Sequence, residues 1–157
     1  MKIILASVGK PHDALVKDGI QEFTQRLSKY FSVQWLIIAP PKNAASLSEV
    51  ALKKAEAALI LNALQKDDFL VLLDERGKNI SSPQLANIIQ QRANESCKQL
   101  VFLIGGAFGV DEIITKKASF IWSLSSLVFP HMIVRLILAE QVYRACTILK
   151  NEKYHHQ

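Results

Sequence analysis

Leu100-Val101-Phe102-Leu103-Ile104-Gly105-Gly106-Ala107-Phe108-Gly109 decides the fold. Five aliphatic and aromatic residues run without a polar break and then stop at glycine. That pattern reads as a strand buried on both faces, ending in a loop whose main chain a ligand can approach closely. A second copy of the pattern follows at Phe120–Leu124, closed by Ser125-Ser126-Leu127-Val128-Phe129-Pro130. Working outward, Lys2–Val8, Val33–Ala39 and Phe69–Leu73 read as further buried strands. Helical spacing fills Asp13–Phe31, Ser46–Leu64, the stretch opened by Ser81-Ser82-Pro83, Asp111–Lys117 and Pro130–Lys150.

Buried strands alternating with helices predict an α/β fold with a mostly parallel sheet covered on both faces. Such sheets bind ligands at the carboxyl ends of their strands. The loops at those ends are Asp74–Ile80, Gly105–Val110 and Ser125–Pro130. The chain of 157 residues reads as one domain, residues 1–157. It has no internal repeat, linker, signal-peptide pattern or bilayer-length apolar run, and a cytoplasmic location is expected. Cys97 and Cys146 have no metal-ligand spacing, so neither a metal site nor a disulfide framework is expected.

A net charge of +5 favours polyanionic partners, of which RNA and DNA are the commonest. The last helix is apolar nearly all round, from Met132 through Leu149. The sheet covers one side of such a helix, which predicts a second subunit on another. Gly105-Gly106-Ala107-Phe108-Gly109 lacks the spacing of a dinucleotide fingerprint, so an NAD-dependent oxidoreductase is disfavoured. From the glycines alone, a tight turn and a backbone-lined ligand site stay open. His131 opens the last helix, where the helix dipole favours a neutral imidazole. Arg144 stands one turn after Glu140, as an ion pair or as a cation aimed at a substrate. Tyr154, His155 and His156 end the chain with rings able to stack on an unpaired base.

Taken together, Val8-Gly9-Lys10, Leu73-Asp74 with Gly77-Lys78, Ile104-Gly105-Gly106 with Gly109, Ser123-Leu124-Ser125 and Phe129-Pro130-His131 carry a likeness. So do Arg135, Glu140-Gln141, Tyr143-Arg144-Ala145 and Tyr154-His155. Over its whole length the chain resembles the ribosomal RNA large subunit methyltransferase H family. The resemblance implies a SPOUT fold with a C-terminal trefoil knot, a homodimer, and S-adenosyl-L-methionine as cofactor. It implies methylation of N3 of a pseudouridine in a loop of 23S rRNA, within the large subunit or the assembled ribosome. By position, cofactor contacts fall on Leu73, Gly105, Leu124, Ser125, Ser126, Leu127, Val128 and Phe129. His131, Arg144 and His155 are the catalytic candidates, and which of them removes the N3 proton stays open. Tyr154, His155 and His156 are the RNA contacts. His156 stands where relatives carry a lysine or arginine, which makes that contact dependent on protonation. A non-catalytic RNA-binding protein on the same fold is the alternative.

Overall fold

The computed structural model describes residues 1–156; Gln157, the last residue of the tail, lies outside them. The elements are β1 (Lys2–Val8), α1 (Ala14–Leu27), β2 (Ser32–Ile38), α2 (Glu49–Ala63), β3 (Phe69–Asn79), α3 (Ser82–Asn94), β4 (Gln99–Ile104), α4 (Glu112–Lys117), β5 (Phe120–Ser123) and α5 (His131–Leu149). The five strands form one sheet in the order β2-β1-β4-β3-β5, and every pairing is parallel.

Side-chain alternation along the strands divides the core in two. Ile3, Leu5, Leu100, Phe102 and Val71 pack with residues of α1, α3 and α5, including Leu27, Leu85, Ile89, Leu138 and Val142. Ile4, Ala6, Leu70, Leu72, Val101 and Leu103 pack on the other side with Ala57 and Ile60 of α2 and Ile114 of α4. The central strands must therefore be apolar at consecutive positions, which is why β1, β4 and the first half of β3 were legible as unbroken runs.

Capping side chains place the helix starts. Asp13, Ser48 and Asp111 each accept a hydrogen bond from a backbone N–H of the first turn. Ser81 and Gln84 form a reciprocal capping box, with Pro83 in the first turn. The first two helices are shorter than their apolar spacing implies: α1 stops at Leu27, before Phe31, and α2 starts after its Ser48 cap and ends with Leu64 as its C-cap.

One larger difference concerns Asp74–Asn79. This segment was expected as a loop but continues β3. After a register shift between Leu73 and Lys78, Lys78 and Asn79 pair with Trp122 and Ser123 of β5. The polar composition hid it, because an edge pairing can be satisfied by main chain alone. Gly77 is the enabling residue: a Cβ there would stand 2.7 Å from the backbone of Ile121. Gly77→Ala is expected to destabilise the protein by about 1–3 kcal/mol, the usual cost of forcing atoms into filled space, in a urea unfolding curve; an unchanged midpoint would show that this approach is looser than described.

Candidate active site

The carboxyl ends of the strands lie in register along one edge. Ser7 pairs with Ile104, Ile104 with Leu73, and Leu73 with Trp122. The chain leaves this row at Gly9, Gly105 and Leu124, and β3 bulges out of it from Asp74, so four segments start side by side. Three of them enclose a cavity of about 520 Å³, within the range of small-molecule sites. Its walls include Leu73, Gly105, Leu124, Ser125, Leu127, Val128 and Phe129, with His131 and Val134 from the start of α5. The structure thus brings together seven of the eight positions expected to bind cofactor. Ser126 belongs to the same loop but is not part of the cavity wall.

The glycine loop is a tight turn in which Gly109 N–H donates to the Gly106 carbonyl over 3.0 Å. Gly109 has φ +80°, a value that glycine adopts freely. Gly106 is constrained from outside the turn. A Cβ on it would meet the Glu56 carboxyl oxygen at 2.2 Å. Glu56, on α2, is only 5% exposed, and burial pushes its carboxyl above the ordinary 4.5.

Two wall residues escaped the sequence reading. Trp122 is buried, and its indole N–H has no partner among the described residues. A tryptophan among small residues at a strand end was the available signal. Lys53, from α2, gave none. Asp74 is held below the usual carboxylate range mainly by Arg76, which donates to it from Nε and Nη2 at 2.9 and 2.7 Å. The mouth of the cavity is apolar and open: Phe108, Leu127 and Val128 are 54%, 70% and 83% exposed. Exposed apolar side chains gathered at one place mark a surface that something covers.

His131 and Arg144 are both on α5 but far apart. Thirteen residues at about 1.5 Å each separate them by roughly 20 Å along the axis. His131 sits at the cavity, its imidazole held below 6.5 first by burial and then by the charge of Arg135. Arg144 sits at the opposite end with the tail. Its Nε donates to Glu140 over 2.9 Å, and its guanidinium lies 4.7 Å from the Tyr154 ring centroid. Tyr154 O–H donates to the same Glu140 oxygen over 3.0 Å and packs edge-on against Tyr143. The Glu140–Arg144 pair read from spacing is therefore present, enlarged by a tyrosine. His155 follows with a buried Nδ1 that has no partner among the described residues, while His156 is exposed. Within one chain, the three catalytic candidates do not share a site.

The chain matches the family model described as "Predicted SPOUT methyltransferase" over residues 1–155. It belongs to the SPOUT methyltransferase family. Among curated relatives, the ribosomal RNA large subunit methyltransferase H of Flavobacterium johnsoniae is 45% identical over 157 residues, covering 100% of both chains. The protein of that description from Cytophaga hutchinsonii is 44% identical over 156 residues, covering 99% of this chain and 100% of its own. The crystal structure of "Probable Methyltransferase from Bordetella pertussis Tohama I" superposes with a TM-score of 0.56 at 12% identity, covering 92% of this chain and 93% of that one. At that identity the likeness is one of fold.

Because the Glu56 carboxyl is raised in the folded protein, it binds its proton more tightly there than in the unfolded chain. Folding stability attributable to it therefore falls as pH rises from about 4.5 to the folded pKa, and stays lowered above that. Glu56→Gln is expected to gain stability on wild type as pH rises through this window, followed by thermal melts. A difference independent of pH would mean that Glu56 titrates normally.

Proposed function

We propose that this protein is an S-adenosyl-L-methionine-dependent methyltransferase that modifies N3 of a pseudouridine in a loop of 23S rRNA. It works in the cytoplasm as a homodimer, each chain a single methyltransferase domain with a trefoil-knotted C-terminal part. One observation carries the reading: three strand-end loops of a SPOUT family chain enclose one backbone-lined cavity. The name that relatives identical at 44–45% share supports rRNA as substrate.

The residues present fit the cofactor. Leu73, Leu124 and Phe129 offer apolar walls to a purine, and the unpartnered Trp122 N–H and the loop backbone offer polar contacts. Glu75 brings negative charge suited to a sulfonium, while Asp74 is paired with Arg76. When bound, the cofactor supplies an already activated methyl group. The protein's task is then to orient N3 and remove its proton. His131 is the candidate at the cavity, since its lowered pKa keeps the imidazole neutral and able to accept that proton. Arg144 is a cation suited to stabilising the imide anion. Tyr154, His155 and His156 hold the RNA.

The 20 Å between His131 and Arg144 supports the dimer. One chain cannot bring both to one base, but two chains packed along α5 can, each lending its tail to the other's cavity. The open apolar rim at Leu127 and Val128 supports this, as do Met132, Ile133, Leu136 and Ile137 on α5, which remain partly open.

Calorimetry with S-adenosyl-L-methionine tests the reading most simply. The wild type is expected to bind. Gly105→Val is expected to lose binding while remaining dimeric, because even a Cβ at Gly105 would stand 2.6 Å from Val110. No binding by the folded wild type would favour a non-catalytic RNA-binding protein. Arg144→Ala is expected to lower turnover on ribosomal subunits, followed by mass spectrometry of the rRNA, with cofactor affinity preserved; equal loss of both would move Arg144 to the cofactor.

A further inference from the structure

Arg135 is a buried charge with no counter-ion among the described residues. It is 5% exposed, and no described carboxylate lies within ion-pair distance. Its partners are all neutral. Nε donates to Ser7 Oγ over 2.9 Å, and Nη1 to the Lys10 carbonyl over 2.8 Å. Nη1 also meets His12 Nδ1 at 3.3 Å, a contact that needs the tautomer with the proton on Nε2. Nη2 donates to no described group. A buried guanidinium left in this way carries a desolvation cost that hydrogen bonds to neutral groups offset only in part.

The surroundings are basic on balance, with Lys10, Lys17 and Arg135 against Asp13 and Asp18. His12 is held neutral by burial, by Arg135 and by Lys17. Lys10 and Lys17 are exposed beside it, and the neighbouring Asp13 carboxylate is engaged at the start of α1, accepting from Leu15 N–H. The loop backbone leaves an approach to Nη2. Gly9 has φ +138°, and a Cβ on it would stand 3.1 Å from that nitrogen, so any other residue would crowd the guanidinium. Gly9 leaves β1 beside the row that bounds the cavity, and Arg135, itself outside the cavity wall, lies one turn after His131, which belongs to that wall.

We propose that Arg135, with Gly9, Lys10 and His12, forms an oxyanion-binding subsite beside the methyl-donor cavity, and that its occupant is a backbone phosphate of the RNA substrate. The proposal rests on the methyltransferase reading for the identity of the phosphate's carrier. A guanidinium presenting a free N–H edge suits phosphate oxygens. A phosphate held there would fix the nucleotide's sugar-phosphate edge while its base enters the cavity. The other oxyanion within reach is the carboxylate of the cofactor, and the test separates the two.

Inorganic phosphate is titrated into the full-length dimer at constant ionic strength while the His12 and His131 ring signals are followed by NMR. A saturable shift of both is expected in the wild type and none in Arg135→Gln. Lys10→Ala, which changes an exposed side chain, is expected to fold normally and weaken the phosphate response several-fold. It keeps the test open if Arg135→Gln does not fold. Binding of a target-loop oligonucleotide by Arg135→Gln should show a salt slope reduced by about one, with S-adenosyl-L-methionine affinity unchanged. No saturable shift in the wild type, or the same shift in Arg135→Gln, would overturn the subsite. Displacement of phosphate by S-adenosyl-L-methionine would overturn the RNA assignment in favour of the cofactor carboxylate. A normal phosphate response in a protein that binds no S-adenosyl-L-methionine would leave the subsite standing and remove the methyltransferase reading instead.

Discussion

The pairing of β3 with a neighbour on each side is the constraint on which the site depends. Leu73 stands between Ile104 of β4 and Trp122 of β5, so β4 and β5 end, and the ladder of β3 shifts register, along one row. Parallel strands in register must release their connections on the same edge, and the next residues of each chain segment then face a common space. Nothing in the loops themselves has to bring them together. The sheet does so, and glycine, serine and proline shape the walls. The bulged continuation of β3 strengthens this arrangement by returning to pair with β5 at Lys78 and Asn79.

Much of this was legible because burial on both faces leaves no alternation in a strand. Leu100–Ile104 and Lys2–Val8 could be read without knowing what packed on them. The helix starts were legible for a different reason: Ser81, Ser48, Asp13 and Asp111 satisfy backbone donors locally. Asp74–Asn79 was not legible, since its pairing is made by main chain and its side chains are polar. Glu56 was equally hidden. A glutamate in an amphipathic helix reads as a solvated residue, and its burial follows from the position of Gly106, some fifty residues away, against α2. For the same reason the lack of an acidic partner at Arg135 can be recognised only once β1 and α5 are packed together.

The helix α5 joins two chemically distinct ends. At its start stand His131 and Arg135, beside the cavity and short of negative charge. At its end Glu140, Arg144 and Tyr154 make a mutually bonded cluster on which the tail rests. Hydrogen bonding to one carboxylate holds the arginine and the tyrosine in a fixed relation. His131 and Arg144 stand thirteen residues apart on this helix, roughly 20 Å along its axis.

The central claim is that methyl transfer uses the cavity of one chain and the tail of another. Co-refolding two variants tests it directly: Gly105→Val, which closes the cavity but keeps the tail, and Arg144→Ala, which does the reverse. In a mixed dimer one of the two sites combines an intact cavity with an intact tail. Random pairing should therefore restore about a quarter of wild-type activity from two inactive proteins. If the mixture stays as inactive as its components while mixed dimers are present, each site is built from a single chain and the account is wrong.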